Sequence, residues 1–164
     1  MNDLISIITP SYKSKRFISQ TIDSVLAQIY QNWEMIIVDD VSPDNSNEII
    51  KEYCKKDSRI KLIKLEKNSG PAVARNRAIE EANGRYIAFL DADDLWMPEK
   101  LEKQLAFMTQ NNYELTYTNY ETMNEEGENL NNTVVSPKRL NYQELLKSNK
   151  IGCLSAIYDT KRIG

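Results

Sequence analysis

Two acidic groups carry the clearest chemical signal in this sequence: Asp39-Asp40, and Asp91-Ala92-Asp93-Asp94. Each follows directly on a short apolar run, and Asp44 lies just downstream of the first. Carboxylates gathered in one place repel one another unless something compensates them. A divalent cation is the simplest compensation, and oxygen ligands suit Mg2+ or Mn2+. Asp91 and Asp93 are two residues apart, so in extended chain they point the same way. Mg2+ commonly takes one or two carboxylates and completes its shell with phosphate and water. One Asp-x-Asp therefore suffices if the ligand is a diphosphate. Taken singly, each residue has a plainer reading. Asp44 reads as a helix N-cap, and Asp94 as the cap of the turn before Pro98. Asp39-Asp40 alone could be a solvated strand end. Tyr12 alone reads as a surface aromatic, and Arg75 as half of a surface ion pair. Their joint placement, one group per strand end, is what points to a ligand site.

That placement comes from the elements around them. Leu4–Ile8, Met35–Val38, Ile60–Leu65 and Arg85–Leu90 are short, apolar and rich in β-branched residues, as buried strands are. Pro10 is expected to end the first. Between them lie amphipathic helical patterns. The first starts near Ser14, its expected N-cap, and puts Phe17, Ile18, Ile22, Val25, Leu26 and Ile29 on one face. The second carries Ile49, Ile50, Tyr53 and Cys54. The third runs Ala72–Asn83 after Pro71, with Gly84 expected just past its C-terminus. The fourth follows Pro98, with Leu101, Leu105 and Met108 inward. Four strand–helix repeats predict a Rossmann-like, mostly parallel α/β sheet with helices on both faces. In such a sheet ligands sit beyond the carboxyl ends of the strands. Pro10-Ser11-Tyr12, Asp39-Asp40, Asn68-Ser69-Gly70 with Arg75, and Asp91–Asp94 all fall there. Past Asn112 the pattern loosens. Glu114–Thr118 and Cys153–Tyr158 are expected strands, Asn124–Asn132 a polar loop and Tyr142–Leu146 a short helix.

Composition removes several chemistries. The 164 residues fit one domain, and hydrophobic residues at 41% suffice for a core. Net charge is −3, which argues against a nucleic-acid partner. There is no histidine, so histidine-based triads, histidine-ligated zinc and a histidine base are excluded. The five glycines cannot be arranged as GxGxxG or GxxxxGK[ST]. Cys54 and Cys153 form no CxxC pair and read as small core residues in a reducing compartment. No run approaches a membrane span, and Met1–Lys13 lacks a signal-peptide layout.

Four ordered segments then carry a family resemblance: Ile7–Tyr12 (IITPSY), Ile37–Ser42 (IVDDVS), Gly70–Asn76 (GPAVARN) and Phe89–Asp94 (FLDADD). The chain resembles the donor-binding portion of family 2 glycosyltransferases of GT-A fold, closely over Asp3–Gln110 and loosely beyond. The resemblance implies a nucleotide-diphosphate sugar donor, with a UDP-sugar expected, and a saccharide or lipid-linked acceptor in bacterial cell-surface polysaccharide or glycoconjugate assembly. It implies that Thr9, Pro10 and Tyr12 line the nucleoside pocket, with Tyr12 against the base. Asp40 would accept a hydrogen bond from the base, with Arg75 nearby. Asp91 would lie by the ribose, and Asp93 would hold Mn2+ or Mg2+ against the diphosphate. It implies inversion by direct displacement, helped by a carboxylate base. That base and the acceptor-binding region are expected beyond Gly164, so residues 1–164 read as one domain truncated before them. Asp159 stands in the wrong context for the base. A cytoplasmic location, at the inner face of the membrane, is implied. Peripheral membrane association stays open, although no basic amphipathic helix is evident.

Three other functions compete with this one. A non-catalytic nucleotide- or metal-binding module would bind donor without turnover. A phosphoacceptor signalling domain would want its acidic pair after the first strand, where Thr9-Pro10 stands. A nucleotidyltransferase would want a glycine-rich phosphate loop, which is absent.

Overall fold

In the computed structural model, which describes residues 3–163, the four apolar runs become parallel strands. They are β1 (Ile5–Ser11), β2 (Trp33–Asp39), β3 (Ile60–Lys64) and β4 (Tyr86–Phe89). α1 (Ile18–Leu26), α2 (Ser46–Lys56) and α3 (Pro71–Glu80) connect them, and α4 (Lys100–Gln110) follows β4. The rest is β5 (Leu115–Thr116), β6 (Tyr120–Met123), β7 (Asn129–Val134), α5 (Tyr142–Lys147), β8 (Ile157–Asp159) and α6 (Thr160–Ile163). The main sheet runs β3-β2-β1-β4-β8-β5, with β8 antiparallel to both neighbours, while β6 and β7 pair separately. The predicted α/β class and the mostly parallel sheet with helices on both faces are therefore observed.

The period of the strands sorts the core. Ile5 and Ile7 of β1 pack with Ile18, Ile22 and Val25 of α1, Ile50 of α2, and Leu101, Leu105 and Met108 of α4. Ile8, Ile36 and Val38 pack the other face with Ala74 and Ala78 of α3. β2 is buried along its whole length, which is why it reads as an unbroken apolar run. Every strand end of β1–β4 points to one rim.

Several boundaries differ from the sequence reading. β1 continues through Pro10 to Ser11, with Pro10 opposite Val38 of β2. The Leu90 N–H donates to the Ile8 carbonyl, and the Asp40 N–H to that of Ser11. Alternation then turns Pro10 toward β4, which has already ended, so its missing N–H costs no ladder bond. α1 begins at Ile18, not near Ser14, whose hydroxyl pairs with that of Ser11. Ile29 lies beyond the helix and is exposed. α3 ends at Glu80, so Gly84 is no helix cap. It is needed because an added Cβ would lie 2.6 Å from the Ser6 N and 2.8 Å from the Leu4 O. Asn124–Asn132 is not a plain loop but the turn and returning strand of a hairpin. Cys153–Ser155 forms a single 3-10 turn, leaving only Ile157–Asp159 as strand.

Candidate functional site

The rim is built from four loops tied to one another. Asp40 is almost fully buried, and its two carboxylate oxygens accept the backbone N–H groups of Ser69 (2.7 Å) and Gly70 (2.8 Å). Gly70 has φ +86, a value that a side chain would strain, and opens α3. One buried carboxylate thus joins the β2 end to the start of α3. Asp39 is equally buried and accepts from the Ser42 N–H and the Asn47 amide. Asp44 accepts from the Ser46 N–H beside the start of α2 and from the Lys15 N–H. It therefore does local structural work, one residue ahead of the position expected for a cap.

The β1 and β2 loops also meet. The Lys13 N–H donates to the Ser42 hydroxyl at 3.1 Å, and Lys13 and Val41 have φ of +53 and +62. For a β-branched residue that is an outlier, and such strain collects where ligands are held. Tyr12 is half exposed, with the Lys13 ammonium 5.2 Å from its ring centre. Thr9 is fully buried, its hydroxyl without a partner among the described residues.

Arg75 reaches from α3 to Asp91 at the β4 end, with Nη2 and Oδ1 2.5 Å apart and both side chains about three-quarters buried. Burial pulls the Arg75 pKa down, but Asp91 outweighs it and holds the guanidinium charged. Cys153 lies within interaction range of Arg75. Burial first, and then the Asp91 charge, push its thiol up. The chain does not stay extended after Asp91. The Asp94 N–H turns back to the Asp91 carbonyl at 3.1 Å, and the Ala92 carbonyl accepts from the Thr21 hydroxyl. Asp91 therefore faces Arg75 while Asp93 is exposed. The expectation that both point the same way fails at this turn.

Beyond Asp93 opens a cavity of about 780 Å3, lined by Asp93, Asp94, Trp96, Lys100, Phe17 and the β6–β7 hairpin among others. Of the seven residues expected to hold donor and metal, only Asp93 lines it. Thr9, Pro10, Tyr12, Asp40, Arg75 and Asp91 occupy the adjoining rim instead. Arg16 ties the hairpin to the β1 loop through Glu125, at 2.5 Å. Burial pushes the Asp94 carboxyl up to about 6, and the Asp93 and Asp91 charges push the same way. Its side chain caps no turn among the described residues, contrary to its plainer reading. Lys100 Nζ lies 3.7 Å from the centre of the Trp96 ring without a hydrogen-bond partner among the described residues, and burial holds its pKa well below the lysine range. Trp96, Lys100, Cys153 and the hairpin escape the sequence reading. The alternating exposure of Tyr120–Met123 matches a half-exposed strand, but only two side chains face inward and the signal is short.

The donor set at Asp93 suits a hard divalent cation. No hydrogen bond or ion pair among the described residues engages this carboxylate, and two further carboxylates stand within two residues of it. No cluster of three His, Cys, Asp or Glu side chains suited to a metal forms among the described residues. A cation here would therefore draw most of its oxygens from ligand and water, as Mg2+ commonly does.

A family profile described as "Glycosyl transferase family 2" matches residues 6–158. The chain is 47% identical over 161 residues to the "putative teichuronic acid biosynthesis glycosyltransferase TuaG" of Bacillus subtilis (strain 168), covering 98% of this chain and 64% of that protein. It is 46% identical over 160 residues to the "UDP-Glc:alpha-D-GlcNAc-diphosphoundecaprenol beta-1,3-glucosyltransferase WfgD" of Escherichia coli, covering 95% of this chain and 60% of that protein. The chain thus spans under two thirds of the length of these curated relatives. Among solved structures, S. aureus TarS 1–349 in complex with UDP superimposes with a TM-score of 0.73 at 26% identity, covering 95% of this chain and 46% of that one.

Proposed function

The chain belongs to glycosyl transferase family 2, and on that premise we propose that it binds a nucleotide-diphosphate sugar, a UDP-sugar, for transfer to an acceptor hydroxyl in bacterial cell-surface polysaccharide or glycoconjugate assembly. The acceptor is a saccharide or a lipid-linked saccharide. Two relatives support this reading by name, one in teichuronic acid biosynthesis and one acting on a diphosphoundecaprenol-linked sugar. The observation that carries the reading is the rim itself, where strand ends and α3 bring Tyr12, Asp40, Arg75 and Asp91 to one side of an exposed Asp93 that is unpaired among the described residues.

In this reading Thr9, Pro10 and Tyr12 border the nucleoside, with the half-exposed Tyr12 ring against the base. Asp40 already accepts two backbone N–H groups, so a base N–H would take one of its remaining lone pairs. The ion pair with Arg75 fixes Asp91 in place, which presents its carboxylate as an acceptor to a ribose hydroxyl. Asp93 holds the divalent cation, Mn2+ or Mg2+, which when bound supplies Lewis-acid stabilisation of charge on the leaving diphosphate. Inversion by direct displacement completes the proposal. Its base is not Asp159, which lies at the opposite end of the sheet and is paired to Arg85 at 2.7 Å.

Thermal unfolding with UDP tests the reading. At a free UDP concentration of about 100 times its Kd, stability should rise by roughly 2.7 kcal/mol when Mn2+ is present. Asp93→Asn should remove the Mn2+-dependent part of that gain. Equal gains with EDTA and with Mn2+ would refute the metal bridge, and no gain with either would refute the donor.

A further inference from the structure

Charge is unevenly distributed along this chain. Residues 51–67 hold Lys51, Lys55, Lys56, Arg59, Lys61, Lys64 and Lys67 against Glu52, Asp57 and Glu66, in a protein whose net charge is −3. The fold concentrates part of that excess. α2 packs against β3, the edge strand of the main sheet, and between them runs an open groove of about 670 Å3. Lys51 and Lys55 border it from the helix, Lys61 and Lys64 from the strand, and Ile60 and Leu62 form part of its floor. Lys55 pairs with Glu52 at 2.5 Å and Lys61 with Glu34 at 2.8 Å. Lys51 and Lys64 are exposed, and neither has a carboxylate within ion-pair distance among the described residues.

Lysines on an edge strand discourage another strand from adding to the sheet. That accounts for Lys61 and Lys64 but not for Lys51 and Lys55, which lie on a helix one turn apart. We propose that the α2–β3 edge docks the protein on an anionic lipid bilayer. The proposal rests on the reading above that the acceptor is lipid-linked, since such an acceptor is met only at a bilayer surface. Two observations favour lipid headgroups over a nucleic acid. The groove presents no aromatic ring for base stacking. The nearby Tyr53 is committed inward, its hydroxyl donating to Asp23 at 2.9 Å. Orientation fits as well. Lys64 is in register with Asp39 at the rim end of β2, so a bilayer touching this edge lies beside the donor site. The basic surface escapes a search for one basic amphipathic helix because strand and helix each contribute half of it.

Vesicle flotation tests the proposal. The chain should bind phosphatidylcholine vesicles containing about one third phosphatidylglycerol, bind pure phosphatidylcholine at least tenfold less, and lose binding at high salt. Lys51→Glu with Lys64→Glu should weaken binding at least tenfold, since each basic residue near such a surface is worth about fivefold. Lys103→Glu with Lys147→Glu makes the same change in net charge elsewhere and should weaken it less than threefold. Thermal shift with UDP and Mn2+, run on the same variants, should match the parent. That separates a failure of docking from a failure of donor binding or of folding. Equal losses in the two double variants, equal binding to neutral vesicles, or binding to single-stranded DNA without binding to vesicles would overturn the proposal.

Discussion

The two ends of the central sheet treat charge in opposite ways. At the amino ends of the parallel strands every buried carboxylate is matched. Glu34 accepts from the Ser6 hydroxyl (2.7 Å), the Asn83 N–H (2.7 Å) and the Lys61 ammonium (2.8 Å). Asp159 accepts from Arg85 (2.7 Å) and from the Lys161 N–H (3.0 Å). Among the described residues Trp33 Nε1 is an exception, buried without a partner beneath the Arg59 guanidinium. At the carboxyl ends, among the described residues, Asp93 and Asp94 have no partner, the Lys100 amine has only an aromatic face, and one oxygen of Asp39 and the Thr9 hydroxyl are buried and unmatched. A buried polar group without a partner costs stability. The unmatched groups gather at the end where the donor is proposed to bind, and that contrast supports the proposal.

If the amino end is there for stability, tightening or emptying it should cost the most. Gly84→Ala gives the largest effect, because the new Cβ meets backbone atoms of β1 and its approach that cannot swing aside. Overpacking of that kind should cost about 3 kcal/mol, read as a lower urea midpoint at unchanged slope. Glu34→Gln comes next, at about 2 kcal/mol, since Ser6, Asn83 and Lys61 lose a shared charged acceptor. Its pH dependence has a defined sign. Burial raises the Glu34 pKa, but Lys61, Ser6 and the Asn83 N–H outweigh it and hold the carboxyl below its usual value. A depressed carboxylate stabilises above its unfolded pKa, about 4.3 for Glu, and that contribution vanishes as pH falls through the folded value. The stability difference between parent and Glu34→Gln should therefore shrink below about pH 4. A constant difference down to pH 2 would show that packing, not charge, sets it.

The same contrast explains what could be read from the sequence. Strand ends are visible because each apolar run stops at a polar group, so Thr9–Tyr12, Asp39-Asp40, Arg75 and Asp91–Asp94 fall on one rim as expected. Pairings made through the third dimension are not visible. Nothing local tells that Asp91 will face Arg75 while Asp93 turns away, because the turn depends on the Thr21 hydroxyl, some seventy residues earlier, holding the Ala92 carbonyl. The Pro10 boundary fails for a related reason. Whether a missing N–H matters depends on which neighbour that side of the strand faces. Past Asn112 the elements are short and exposed, and β6–β7 carries too few inward side chains for periodicity to register.

The smallest effect separates the two unpaired carboxylates of the rim. Asp94→Asn keeps the shape of the side chain and removes a charge that is partly buried, accepts no hydrogen bond among the described residues and is repelled by Asp93 and Asp91. No favourable contact is lost, so the ligand-free protein should be as stable as the parent or up to about 1 kcal/mol more stable at neutral pH. If Asp93 alone carries the cation, UDP binding with Mn2+ should stay within about threefold, or 0.7 kcal/mol, of the parent. Asp93→Asn should leave stability equally untouched but lose the Mn2+-dependent part of binding. Urea melts and calorimetric titrations of both variants decide. Equal losses of binding would make Asp94 a second metal ligand, and the turn that buries it would then be part of the metal site. A loss of stability in either variant would mean that the rim holds a partner for that carboxylate, and the contrast between the two ends of the sheet would fail where it is most exposed to test.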